Sequence, residues 1–74
     1  MKLSEIRPGK SVRVVALGND TRIAEKLKNL GITAGSVITV LRHAPFGATT
    51  EIKAGNTRIA IGVGETDKIA VEYV

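Results

Sequence analysis

The chain holds one imidazole and seven carboxylates, and any metal or acid–base chemistry must be built from these. His43 follows Arg42 near the end of an expected strand, and the sequence has neither a second His nor a Cys. A site of nitrogen and sulfur ligands needs about three or four such groups. His43 is therefore expected as an exposed or half-buried strand residue. The carboxylates Glu5, Asp20, Glu25, Glu51, Glu65, Asp67 and Glu72 are spread along the chain. Glu65 and Asp67 are the closest pair outside the expected helix, but a hard cation takes roughly six to eight oxygens. They are read as solvated turn charges, with Asp67 capping a turn. The serines Ser4, Ser11 and Ser36 do not stand in a strand-to-helix elbow. Gly62-Val63-Gly64 lacks the third glycine and the helix of a dinucleotide motif. No catalytic, cofactor-binding or metal site is expected.

The remaining chemistry is that of a surface. Eleven Lys and Arg against seven Asp and Glu leave a formal charge of +4. On a small barrel this balance fits a nucleic-acid footprint. Barrels that hold single strands offer aromatic stacking platforms, and here the aromatics are Phe46 and Tyr73. The cations are also dispersed, so a solvated basic surface is the expectation, with RNA or DNA binding as the alternative. Aromatic poverty equally disfavours a Pro-rich peptide groove, while peptide binding along a strand edge is a further alternative. Two features point to protein contact. Phe46 is an apolar residue at an expected loop tip. Arg22 and Lys26 lie on one helix face with Asn29, placed to steer an acidic partner. Leu30, at the helix end, is the second apolar candidate.

The elements that position these residues follow from periodicity and punctuation. Leu3 and Ile6 lead in, and Pro8-Gly9 signals a turn. Residues 11–17 alternate, with Val12, Val14 and Ala16 expected inward. Asn19 or Asp20 can cap a helix over about 21–30, where Ile23, Leu27 and Leu30 share a face. Gly31 stands where a left-handed closing residue is wanted, which would fold Ile32 back onto Leu27. Strands are expected over 36–43 with Ile38 and Val40 inward, over 49–53 with Ile52 inward, and over 57–62 with Ile59 and Ile61 inward. Residues 44–48 form the hairpin tip and 54–56 a tight turn. A connector over 63–67 leads to a last strand over 68–74, with Ile69, Val71 and Tyr73 on one face. Five short strands at this spacing, with one helix between the first and second, predict a mainly β fold, a small barrel that is closed or partly open.

At 74 residues the chain is read as one domain, 1–74, with one small core. It has no disulfide, which is compatible with a reducing cytoplasm. Its first residues lack the apolar run of a signal peptide, and no stretch approaches the roughly 20 apolar residues that span a bilayer.

In order and spacing, the pieces resemble the FeoA family, the small cytosolic component of the Feo ferrous-iron uptake system. They are Leu3-Ser4-Glu5-Ile6-Arg7-Pro8-Gly9, Arg22 with Lys26-Leu27-Lys28-Asn29-Leu30-Gly31-Ile32, Ala34-Gly35, Arg42-His43-Ala44-Pro45-Phe46-Gly47, Arg58-Ile59-Ala60-Ile61 and Ile69-Ala70-Val71-Glu72. The resemblance implies an SH3-like barrel and a non-enzymatic, cytoplasmic accessory or regulator of ferrous iron transport. It implies FeoB, a membrane transporter with a GTPase domain, as the partner, and at family level an association with transition metals. The contact is expected at Arg22, Lys26, Leu30 and Phe46, with self-association through a sheet edge as an additional possibility.

Overall fold

The computed structural model describes residues 1–47 and 49–74. The chain forms β1 (Ser11–Ala16), α1 (Thr21–Asn29), β2 (Val37–His43), β3 (Thr49–Ala54), β4 (Thr57–Gly62), α2 (Val63–Thr66) and β5 (Ala70–Tyr73). Short 3-10 turns occupy Leu3–Glu5 and Pro45–Gly47. The expected tip over 44–48 is thus seen as far as Gly47, and Ala48 lies outside the described residues. The strands form one antiparallel sheet of order β4-β3-β2-β1-β5. Its concave face holds a core of Ile, Leu and Val side chains to which every strand and α1 contribute.

Two β-bulges set which side chains reach that core. Against β5, the register of β1 shifts between Val14 and Ala16, which makes Val15 the extra residue. Ala16, expected inward, is therefore exposed and Leu17 is buried instead. A bulge reverses the alternation because the side-chain period is two. Against β3, β2 shifts between Val40 and Arg42. Arg42 then opposes Glu51 on the convex face, and His43 opposes the buried Thr50 on the core face. Ile38, Val40, Ile52, Ile59, Ile61, Ile69 and Val71 are buried as their spacing predicts. Tyr73 shares their face by its pairing with Val12, but it lies at the rim and is half exposed.

α1 begins where Asp20 accepts the backbone N–H of Arg22 at 3.0 Å. It ends in a Schellman motif. The Gly31 N–H donates to the Lys28 carbonyl at 2.9 Å and the Ile32 N–H to that of Leu27 at 2.8 Å, with Gly31 at φ +86°. Leu27 and Ile32 are both buried, as this closure requires. The outer edge of β5 is covered by the first residues of the chain. The Leu3 N–H donates to the Ile69 carbonyl at 2.9 Å, and the Val71 N–H to that of Met1 at 2.7 Å.

Candidate functional surface

α1 and α2 flank an open groove of about 390 Å³, with Ile23 at its base and Asp20, Arg22, Lys26, Glu65 and Lys68 among its walls. The helix spacing places Arg22, Lys26 and Leu30 at i, i+4 and i+8, a stripe beside the buried Ile23 and Leu27. Asp20 Oδ2 lies 3.5 Å from Lys68 Nζ, and its Oδ1 lies 3.9 Å from Arg22 Nε. Glu65 Oε1 lies 3.4 Å from Lys26 Nζ and accepts the Gly62 N–H at 3.3 Å. The carboxyl of Asp20 is held below the usual Asp range. The backbone N–H of Arg22 is the main cause, with help from the Ile23 N–H and Lys68 and some opposition from burial. Three cations face two carboxylates, and Arg22 projects into solvent with 92% of its side chain exposed.

Leu30 is half exposed at the helix C-cap, so it is not the third core residue its i+7 spacing from Ile23 predicts. Phe46 stands at the far end of β2 from the end that receives the chain from α1. The four expected contact residues thus divide into a stripe on α1 and a single aromatic on the hairpin. Phe46 has φ +64° and ψ +17°, and its side chain is fully exposed. The left-handed region is unfavourable for a bulky L-residue.

His43 is half-buried and doubly bonded. Its Nε2 lies 2.6 Å from the Ile6 carbonyl oxygen and its Nδ1 lies 2.8 Å from Thr50 Oγ1. A carbonyl only accepts, so Nε2 carries a proton and, in the neutral ring, the Thr50 hydroxyl donates to Nδ1. Asp67 accepts the Ser4 hydroxyl at 2.7 Å, which joins the end of α2 to the lead-in. Among the described residues no three of His, Cys, Asp and Glu cluster as metal ligands. Nor is any helix among them long and apolar enough to cross a membrane.

Sequence reasoning did not place Lys68 and Glu65 beside Arg22 and Lys26. Lys26 and Glu65 are 39 positions apart and meet only through the packing of α2. The legible signals were the helix spacing that groups Arg22 with Lys26 and the Asn19-Asp20 cap that fixes the end of α1 at the groove.

One curved sheet of five antiparallel strands with an inserted helix and a charged groove beside it defines a small, mainly β domain. Residues 1–73 match the FeoA domain, and the chain belongs to this family, which is associated with ferrous iron transport. Among curated proteins no sequence matches it. Three solved structures illustrate the likeness. The solution structure of the Chlorobium tepidum FeoA protein is 28% identical with a TM-score of 0.93, covering 100% of this chain and 70% of that one. The solution structure of iron(II) transport protein A from Clostridium thermocellum is 36% identical with a TM-score of 0.90, covering 100% of this chain and 46% of that one. The Stenotrophomonas maltophilia FeoA, complexed with zinc and described as a unique prokaryotic SH3 domain protein, is 26% identical with a TM-score of 0.82. That match covers 97% of this chain and 89% of the other. The barrel is therefore SH3-like, as the resemblance implied.

Proposed function

We propose that this protein is a non-enzymatic, cytoplasmic regulator of ferrous iron transport that acts by touching the cytosolic part of a FeoB-type transporter. Family membership supports the transport role, and the Stenotrophomonas relative has been put forward as a ferrous iron transport activating factor. The observation that carries the contact is Phe46, a fully exposed aromatic in a left-handed conformation. Aromatic anchors dominate protein interfaces because they bury much area at little entropic cost. Arg22 and Lys26 would steer an acidic patch of the transporter, and Leu30 would seal the contact beside them. Binding one conformation of the transporter better than another shifts its populations without any chemistry in this chain.

The test is an NMR titration of the labelled full chain with the soluble nucleotide-binding domain of the transporter. Shifts are expected at Arg22, Lys26, Leu30 and Phe46. Binding that is unchanged in a Phe46→Gly, Arg22→Glu double variant would refute the assignment.

A further inference from the structure

The two edges of the sheet are treated differently. The β5 edge is covered by residues 1–3 of the same chain. The β4 edge is bare. β4 pairs with β3 from Thr49↔Gly62 to Ala54↔Thr57, across the two-residue turn Gly55-Asn56. In such a hairpin the residues flanking the turn exchange hydrogen bonds. Alternation then turns the N–H and C=O groups of Thr57, Ile59 and Ile61 toward β3, and those of Arg58 and Ala60 outward. Among the described residues these outward groups meet no partner, and both residues are exposed. The Gly62 N–H, next along the same edge, is held by Glu65.

The side chains along this edge carry a second imbalance. Lys53 and Arg58 are directly opposite one another. Like charges at such positions repel, and the two side chains are closest in the pairs that lack hydrogen bonds. Among the described residues Glu51 is the one carboxylate on this part of the convex face. It lies 3.9 Å from Arg42 and 3.8 Å from Arg58, so it is shared between them. Among the described residues Lys53 has no acidic partner. An edge with free main-chain groups thus runs beside three cations and one anion.

We infer that the β4 edge receives an extended, acidic protein segment as an added antiparallel strand, with main-chain bonds at Arg58 and Ala60 and a carboxylate beside Arg58 that offsets its repulsion from Lys53. Main-chain pairing supplies the attachment in such additions and side chains the selectivity. The inference is independent of the transporter contact, which uses α1 and the hairpin. A second copy of this chain fits the edge less well, because its own β4 would bring a second Arg58 and no carboxylate.

The test titrates the labelled full chain at low salt with a blocked hexapeptide of alternating valine and glutamate, and with its lysine counterpart. The glutamate peptide is expected to shift the Arg58 and Ala60 amides and to slow their hydrogen exchange. The lysine peptide is expected to bind about ten-fold more weakly or worse. Ala60→Pro removes an outward N–H while sparing the bonds to β3, and should abolish binding. Arg58→Glu, which gains Lys53 as a partner and gives up Glu51, should weaken it by a similar factor. The inference is overturned by equal binding of the two peptides, by shifts centred on α1, by an undiminished affinity in Arg58→Glu, or by an oligouridylate that produces the same Arg58 and Ala60 shifts. It is equally overturned if sedimentation shows that the edge is already closed by a second copy.

Discussion

The imidazole of His43 donates from Nε2 to the carbonyl oxygen of Ile6 at 2.6 Å, across 37 positions of sequence. The same ring reaches Thr50 Oγ1 through Nδ1, so one side chain ties the lead-in, β2 and β3 together. Replacing it with alanine leaves a half-buried carbonyl and the buried Thr50 hydroxyl without this partner. His43→Ala is expected to lower stability by about 1–3 kcal/mol, read from the denaturant midpoint. His43→Gln, which can still donate to Ile6, should lose less.

Asp20 gives the fold a defined response to acid. Its folded-state carboxyl titrates below the unfolded one, chiefly because it accepts the Arg22 N–H. Its contribution is therefore fully present above the unfolded value and is lost as pH falls through the depressed folded value. Asn also caps helices well. Asp20→Asn should thus change stability little at neutral pH and flatten its decline on the acid side, measured as denaturant midpoints across an acid titration.

Two glycines with similar backbone angles should respond differently to a methyl group. Gly31 has φ +86° and open space where a Cβ would stand. Gly31→Ala is expected to cost about 1–2 kcal/mol, the left-handed penalty alone. Gly18 has φ +78°, and a Cβ there would lie 2.8 Å from the Lys68 carbonyl oxygen. Gly18→Ala must move backbone as well, and should show the larger drop in thermal midpoint.

Leu27 and Leu30, three residues apart on α1, separate folding from contact. Leu27 is buried, and Leu27→Ala should cost about 2–5 kcal/mol through the cavity it leaves. Leu30 is 42% exposed, and Leu30→Ala should cost about 1 kcal/mol or less. Phe46→Gly relieves the left-handed strain and loses no buried area, so it is expected to hold or raise stability by up to about 1 kcal/mol while weakening the proposed transporter contact. Calorimetry of the variants beside the titration distinguishes these effects.

Local signals were readable where a single residue type decides the backbone. The Asn19-Asp20 pair, Gly31 and Ile32 announced the two ends of α1, with Asp20 the one that caps it, and Ile38, Val40, Ile52, Ile59 and Ile61 announced the concave face. The bulge at Val15 left no trace, because Val14, Val15, Ala16 and Leu17 are all apolar and any of them can face the core. The same holds at Val40-Leu41. The charged groove was half legible, since helix spacing groups Arg22 with Lys26 while Glu65 and Lys68 arrive by tertiary packing. The projection of Phe46 was not legible, because an aromatic at a hairpin tip can as well tuck beneath the barrel as stand clear of it.

The extra residue in β2 is a place where this barrel can lose a count. Deleting Leu41 would restore strict alternation and still leave Arg42 opposite Glu51 and His43 opposite Thr50, so the tie to Ile6 would keep its anchor. What would go is the local bend and added twist that a bulge gives its strand. Leu41 is thus a spacer that shapes the curvature of β2 rather than the placing of Arg42 and His43.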